Sequence, residues 1–158
     1  MILIAAVDEN WAIGKDGDQF LHLKDDLARF YALTSGKTVI MGRKTLATFP
    51  GGKPLAGREN LVLSADPNFS VPGARVFRDL DDLLSYAPAD SFVAGGGTVY
   101  RQLLPYCDAA CITKIHAAFP ADTWHPDLDA LTDWYITQEF PPIEEKGVVY
   151  HYVNYQKI

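Results

Sequence analysis

Two adjacent aspartates, Asp25 and Asp26, stand in the segment FLHLKDDLARF at residues 20–30. The segment predicts the start of a helix, and residues four apart on a helix share one face. Asp25 is then matched with Arg29 as a solvated ion pair, whereas Asp26 shares its face with the apolar Phe30. Acids are favoured in a first helical turn, so both aspartates could be surface residues. The alternative is that Asp26 is a proton donor or a ligand anchor in a mostly apolar pocket.

A glycine-rich segment, SFVAGGGTVYRQLL, joins a predicted strand to a predicted helix. Gly95, Gly96 and Gly97 stand between the two elements. Glycines let a backbone approach a ligand closely, and a helix N-terminus offers N–H groups to phosphate. The segment matches neither G-x-G-x-x-G nor the phosphate-binding G-K-[ST] loop, so taken alone it is equally compatible with a tight turn.

A second strand-to-helix junction, VIMGRKTLATFP, has the same features. Gly42 is followed by Arg43, Lys44 and Thr45, which place two cations and a hydroxyl at a helix start. Solvated basic residues after a glycine are the simpler interpretation of this junction alone. Two such junctions at the carboxyl ends of strands in one sheet favour a dinucleotide site.

Arg58 in the segment KPLAGRENLVLS is the third candidate. A planar guanidinium can bind a carboxylate with two parallel hydrogen bonds. An isolated arginine before a strand is more often a surface residue.

The composition predicts one globular domain over residues 1–158. A chain of this length can bury a sizeable core, and 48% hydrophobic and 22% charged residues are ordinary values for such a domain. A net charge of −6 disfavours nucleic acid or an anionic membrane as the main partner. An anionic small substrate would need a local cluster of cations.

Membrane and metal sites find no support in the sequence. The opening MILIAAV is too short for a signal peptide or a membrane span. Cys107 and Cys111 are separated by about 13 Å if they lie on a strand, so free thiols in a reducing cytoplasm are expected. No histidine or cysteine has metal-ligand spacing, so no metal is expected.

Short apolar segments alternate with helical patterns along most of the chain. Strands are predicted at 2–7, 38–41, 60–64, 74–77, 91–94 and 110–115, and helices at 24–34, 43–49, 79–87 and 97–104. This alternation predicts an α/β fold with a mainly parallel central sheet and helices on both faces. Residues 133–140 and 147–155 predict an antiparallel C-terminal hairpin that closes the sheet, with a loop over 139–147.

Taken together and in order, these segments resemble dihydrofolate reductase. The resemblance is carried by LIAAVDENWAIGKDG (3–17), HLKDDLARF (22–30), VIMGRKT (39–45), LAGRENLVLS (55–64), AGGGTVYRQLLP (94–105), ITKI (112–115) and ADTWHPD (121–127). No single motif is decisive, but the ordered set is specific and spans almost the whole chain.

The resemblance implies NADPH-dependent reduction of dihydrofolate by a monomer. It makes Asp26 the active-site acid, Thr113 its hydrogen-bonding partner, and Leu21 a third residue beside them. It assigns the folate site to Ile4, Ala5, Leu27, Phe30, Phe49, Leu55 and Ala94, with Arg58 binding the α-carboxylate of the substrate tail.

The resemblance also implies which residues bind the cofactor. They are Ala6, Ile13, Gly14, Gly42, Arg43, Lys44, Thr45, Ser64, Arg78, Gly95, Gly96, Gly97, Thr98, Val99 and Tyr100. Ser64 and Arg78 would lie near the adenosine 2′-phosphate, and a cis peptide would join Gly95 to Gly96. Residues 14–21 match a loop that closes over nicotinamide, and Asp122 matches the acid that steadies it.

The chain departs from the family pattern at several positions. Phe20 and Leu21 replace the usual Pro-Trp, and Ala94 replaces a larger β-branched residue. Ala65 and Asp66 stand where many members offer polar or basic groups to the 2′-phosphate, and Thr98 replaces a frequent cation. Two alternatives stay open at this point: a reductase of the same fold in riboflavin synthesis, and a non-catalytic pterin- or nucleotide-binding protein.

Overall fold

The structure, a computed structural model, describes residues 1–16 and 23–158. The elements are, in chain order, β1 (Ile2–Val7), β2 (Ala12–Gly14), α1 (Lys24–Thr34), β3 (Thr38–Gly42), α2 (Arg43–Ala47), β4 (Glu59–Leu63), β5 (Ala74–Phe77), α3 (Leu80–Tyr86), β6 (Phe92–Val93), α4 (Gly97–Leu103), β7 (Ala109–Ile115), β8 (Thr123–Trp124), β9 (Trp134–Glu139), β10 (Ile143–Glu145) and β11 (Val148–Lys157). Short 3-10 turns lie at Pro50–Gly52, Leu104–Tyr106 and Leu128–Ala130.

The main sheet has the strand order β10-β11-β7-β1-β6-β3-β4-β5, and β9 pairs with β11. The strands from β7 to β5 in this order are parallel. Strand β11 runs antiparallel to β7, β9 and β10. The predicted sheet, mainly parallel with an antiparallel C-terminal part, is therefore confirmed. Parallel strands end at one edge, so the segments after β3, β4, β5 and β6 come together there.

Alternating residues of β3 show how the helices cover the sheet. Ile40 belongs to a core cluster that includes Leu103 of α4. The next residue, Met41, packs in a different cluster with Leu46 of α2 and Phe30 of α1. Successive side chains of a strand point to opposite faces, so helices lie on both faces, as predicted.

Three short strands and one helix end differ from the sequence-based expectation. Helix α2 ends before residue 49, because Phe49 precedes Pro50 and has extended backbone angles. Strands β2 and β8 form a separate two-stranded sheet that no apolar pattern indicated. The predicted loop over 139–147 contains β10, which joins β11 through a two-residue turn at Lys146 and Gly147, both with positive φ.

Helix α1 begins without a capping side chain on Leu23. The carboxylate of Glu145 on β10 instead accepts hydrogen bonds from the backbone amides of Lys24 (2.7 Å) and Asp25 (3.2 Å). The first amides of a helix lack partners within the helix and carry partial positive charge. These two hydrogen bonds hold the pKa of Glu145 below its usual value. The bond from the Lys24 amide has the larger effect. The C-terminal hairpin thus fixes the start of the helix that carries Asp26.

We expect Glu145→Gln to lower the melting temperature relative to Glu144→Gln, a matched change at the exposed neighbouring position. The pKa of Glu145 is depressed in the folded state, so its contribution is present above the pKa of an unfolded glutamate, about 4.3. The contribution is lost as the pH falls through the folded-state pKa. Thermal unfolding followed by circular dichroism should therefore show a difference between the two variants at pH 7 that shrinks towards pH 3. Equal melting temperatures at pH 7 would contradict this assignment.

Candidate active site

A cavity of about 1170 Å³ lies at the edge where the parallel strands end. Small-molecule sites usually measure about 300–1,000 Å³, so this cavity is slightly larger than the usual site for one small molecule. Its walls come from β1, from α1, from the junctions after β3, β4, β5 and β6, and from β7 and β8.

Most of the residues that the sequence assigned to the site line this cavity. From the predicted catalytic and substrate sets these are Asp26, Thr113, Ile4, Ala5, Leu27, Phe30, Phe49 and Ala94. From the predicted cofactor set they are Ala6, Ile13, Gly14, Gly42, Arg43, Lys44, Thr45, Ser64, Arg78, Gly95, Gly96, Gly97, Thr98, Val99 and Tyr100. The fold thus brings together segments that are far apart in the chain.

Two predicted residues of the described part do not line the cavity, and a third lies outside that part. Leu55 is buried, and its amide donates to the Asn60 side chain. Arg58 lies beyond the cavity lining, close to the end of α1. Leu21 lies outside the described residues.

Asp26 is fixed by a hydrogen bond that crosses from α1 to the sheet. The Thr113 hydroxyl on β7 donates to Asp26 Oδ1 at 2.5 Å. Burial raises the pKa of Asp26 above its usual value, while the Thr113 hydrogen bond and Arg29 lower it and Glu145 raises it further. Leu27 beside it is 45% exposed, so this end of the cavity offers apolar surface next to the Asp26 carboxylate.

Arg29 does not form the ion pair with Asp25 that helical spacing suggested. Its guanidinium carbon lies 4.0 Å from the ring centroid of Tyr152, and Nη2 donates to Asn154 at 3.5 Å. Aromatic and amide groups of β11 therefore hold Arg29 on the side of the helix that lines the cavity. From there it lowers the pKa of Asp26, a role that i,i+4 spacing alone did not reveal.

Arg58 is held against the C-terminal end of α1. Its Nε donates to Thr34 Oγ1 (2.8 Å), and its two Nη atoms donate to the carbonyl oxygens of Ala56 and Tyr31 (2.5 Å each). A guanidinium has five N–H groups, so two remain for another acceptor. Tyr31 itself lines the cavity, so Arg58 is fixed close to that wall.

The glycine junction after β6 is closely packed. A cis peptide joins Gly95 to Gly96, as the resemblance implied, and Gly95 has a φ of 124°. A Cβ added at Gly97 would lie 2.8 Å from Thr123 Cγ2 and 3.0 Å from the Trp124 carbonyl oxygen. Glycine is therefore required at residue 97 because β8 lies directly against the start of α4.

Asp122 connects this region to the segment after β2. Its carboxylate accepts a hydrogen bond from the Asp16 amide (3.0 Å), and its own amide donates to Gly14 (3.1 Å). The pKa of the Asp122 carboxyl lies below its usual range, and the hydrogen bond from the Asp16 amide is the main cause. The predicted loop continues to residue 21, beyond the described part, so only its first residues can be placed.

The cavity also contains residues that the sequence analysis did not assign to it. They are Lys15, Leu23, Arg29, Tyr31, Leu33, Thr48, Pro50, Leu63, Ala65, Leu80, Arg101, Gln102, Thr123 and Trp124. Trp124 is 46% exposed and follows Asp122 in the segment ADTWHPD, so that segment was the available signal for it. Within residues 1–16 and 23–158, no group of three or more His, Cys, Asp or Glu side chains could hold a metal ion. No helix in the same residues is long and apolar enough to cross a membrane.

Comparison with known proteins agrees with this geometry. The family model described as dihydrofolate reductase matches residues 1–157. The chain belongs to the dihydrofolate reductase family. It is 38% identical to the dihydrofolate reductase of Bacillus subtilis (strain 168) over 157 residues, which cover 98% of this chain and 92% of that protein. It is 37% identical to dihydrofolate reductase type 3 of Salmonella typhimurium over 147 residues, 92% of this chain and 90% of that one.

A solved structure extends the family likeness to three dimensions. Dihydrofolate reductase from Enterococcus faecalis, complexed with NADP(H) and RAB-propyl, matches with a TM-score of 0.88 and 31% identity. The match covers 99% of this chain and 95% of that chain. The match to the dihydrofolate reductase family and the match to its fold therefore both cover nearly the whole sequence.

Asp26→Asn should raise the melting temperature at pH 7. The pKa of Asp26 is raised in the folded state by burial, so ionisation opposes folding. The stability of the parent protein therefore decreases as the pH rises from about 3.9, the pKa of an unfolded aspartate, through the folded-state pKa. Asparagine keeps an acceptor for Thr113 and has no charge. Thermal unfolding at pH 7 and pH 3 should show a gain at pH 7 that is absent at pH 3, and Asp25→Asn should show no such gain.

Proposed function

We propose that this chain catalyses the NADPH-dependent reduction of 7,8-dihydrofolate to 5,6,7,8-tetrahydrofolate. The observation that carries this proposal is the Asp26 carboxylate, which accepts a hydrogen bond from Thr113 at the apolar end of the cavity. From there the cavity continues past two glycine junctions. A ring with adjacent N–H donors can pair with one carboxylate there and pack against the apolar Leu27 and Phe30. Membership of the dihydrofolate reductase family supports the same reaction.

The cofactor site fits NADPH on steric grounds. Gly95 and Gly97 are buried in the cavity wall, and side chains added there would meet Thr45, Tyr100 or Thr123. Arg43, at the adjoining junction, adds positive charge for the phosphates. When bound, NADPH supplies a hydride from C4 of its nicotinamide ring. Tyr100, whose hydroxyl donates to Ile4 (2.7 Å), gives that end of the cavity a rigid wall.

Asp26 would orient the pterin ring and assist its protonation. Its carboxylate can accept hydrogen bonds from the ring amino group and a ring nitrogen, since only Oδ1 is used by Thr113 among the described contacts. The raised pKa of Asp26 lies closer to neutral pH than that of an ordinary aspartate. This favours transfer of a proton between the carboxyl group and the substrate. Leu27 and Phe30 would pack against the ring and keep water from the hydride path.

Arg58 would bind the α-carboxylate of the substrate tail. Three of its N–H groups fix it to Thr34, Ala56 and Tyr31, so the remaining two have a defined direction. A preorganised guanidinium loses little side-chain entropy on binding a carboxylate. Its place outside the cavity lining is consistent with contact to the end of the tail rather than to the ring.

Absorbance at 340 nm with NADPH and dihydrofolate tests the proposed reaction directly. Loss of absorbance that depends on both compounds is the expected result. Loss of absorbance with a riboflavin-pathway pyrimidine instead of dihydrofolate would indicate the other reductase of the same fold. Binding of either ligand without turnover would indicate a non-catalytic protein.

Asp26→Asn should nearly abolish dihydrofolate reduction while leaving NADPH affinity unchanged. The matched change Asp25→Asn should reduce kcat/KM by less than about threefold, because an exposed first-turn acid contributes little. Steady-state kinetics and fluorescence titration with NADPH measure the two quantities. Similar activity losses in both variants would show that the acid is placed wrongly.

Arg58→Lys should raise KM for dihydrofolate by about tenfold, roughly 1.4 kcal/mol. Lysine keeps the charge but cannot make the three fixed contacts and a two-bond carboxylate contact together. Steady-state kinetics at varied dihydrofolate, with KM for NADPH as the control, provide the measurement. If KM for dihydrofolate does not change, Arg58 has no part in substrate binding.

We further propose a single domain over residues 1–158 that acts as a monomer in the cytoplasm and binds no nucleic acid. The free Cys107 and Cys111 suit a reducing compartment, and the net charge of −6 disfavours polyanions. Size-exclusion chromatography with light scattering tests the monomer.

A further inference from the structure

We propose that Asp66 reduces the preference of this enzyme for NADPH over NADH by pairing with Arg43 where the adenosine 2′-phosphate would bind. The proposal rests on the NADPH-dependent activity proposed above. It concerns which cofactor the adenosine end of the site accepts.

The carboxylate of Asp66 is fixed on Arg43. Arg43 Nη1 lies 3.0 Å from Asp66 Oδ2, and both side chains are about half exposed (50% and 40%). Asp66 Oδ1 accepts the amide of Asn68 at 2.9 Å, and the Asp66 amide donates to Ser64 Oγ at 3.3 Å. Bonds to the turn after β4 therefore hold the carboxylate in place independently of Arg43.

The strand order puts this pair at the adenosine end of the cavity. Asp26 and Thr113 lie on the β7 side, where the hydride must be delivered to the substrate. The glycine junctions follow β6 and β3, and Asp66 and Arg78 follow β4 and β5, the strands farthest along the sheet from Asp26 on this side. A dinucleotide whose nicotinamide lies beside the substrate must therefore extend its adenosine half towards Arg43 and Asp66.

The other arginine at this end is also engaged. Arg78 Nη2 donates to the carbonyl oxygens of Phe69 (2.6 Å) and Pro67 (3.4 Å). The guanidinium of Arg43 also lies 5.7 Å from the ring centroid of Phe69. A 2′-phosphate therefore meets two arginines that already have partners, and one of those partners is an anion.

The two cofactors differ in what they offer to Asp66. At the ribose 2′ position NADH has a hydroxyl, which can donate a hydrogen bond to a carboxylate. NADPH has a phosphate there, which presents acceptor oxygens and up to two negative charges. The Asp66 carboxylate attracts the 2′-hydroxyl of NADH and repels the 2′-phosphate of NADPH. It also competes with that phosphate for Arg43. Removing its charge should therefore favour NADPH and disfavour NADH.

Asp66→Asn tests this inference, because asparagine keeps the acceptor for the Asn68 amide and loses the charge. We expect the ratio of kcat/KM for NADPH to that for NADH to rise by about three- to tenfold. The matched control is Asp90→Asn, which removes the same charge from an exposed pair with Lys37 (2.9 Å) outside the cavity lining. The control should leave the ratio unchanged.

A second measurement is independent of turnover. Isothermal titration calorimetry with 2′,5′-ADP and with 5′-AMP measures the contribution of the 2′-phosphate alone. Asp66→Asn should increase the affinity for 2′,5′-ADP by about three- to tenfold and leave the affinity for 5′-AMP unchanged or slightly lower. An unchanged ratio together with unchanged 2′,5′-ADP affinity would overturn the proposal, as would an equal gain in Asp90→Asn.

The two proposals can fail separately. If the parent protein binds 2′,5′-ADP but oxidises no NADPH with dihydrofolate, the proposed function fails while calorimetry still decides the role of Asp66. If the parent reduces dihydrofolate and Asp66→Asn changes neither measurement, only the inference about Asp66 fails.

Discussion

The hydrogen bond from Thr113 to Asp26 connects the central sheet to the helix that carries the acid. Thr113 lies on β7 opposite Ala6 of β1, where the parallel part of the sheet meets the antiparallel β11. Helix α1 is held at its start by Glu145 and at its end by Arg58. A carboxylate in an apolar wall needs a fixed position to be useful, and contacts at both ends of its helix provide it.

The cavity has opposite electrostatic character at its two ends. Among the described residues, one end has Asp26 beside Leu27 and Phe30, and the other has arginines at the ends of β3 and β5, one of them paired with Asp66. An acidic chain can bind anionic ligands in this way because the cations are gathered at one edge of the sheet. The strand order of the fold, rather than the overall charge, decides where each ligand group is accepted.

The sequence predicts well those features that depend on local periodicity. The helix at 24–34 and the orientation of Asp26 follow from residue spacing, and the glycine junctions follow from strand-to-helix boundaries. The sequence does not predict contacts between residues that lie far apart in the chain. Glu145 caps a helix that begins 121 residues earlier, and Arg29 contacts β11 instead of Asp25. The pair of Arg43 and Asp66 likewise depends on the neighbouring positions of β3 and β4. No pattern within a window of ten or twenty residues contains these contacts.

The contact of Gly97 with β8 has an evolutionary consequence. Thr123 and Trp124 lie against the start of α4, while the preceding residue, Asp122, binds the segment at Gly14 and Asp16. A larger residue at 97 would displace β8 and with it the support of that segment. A substitution at residue 97 should therefore be accepted only with a shift of the β8 backbone as well as a smaller residue at 123, because the Trp124 carbonyl oxygen also lies 3.0 Å from an added Cβ.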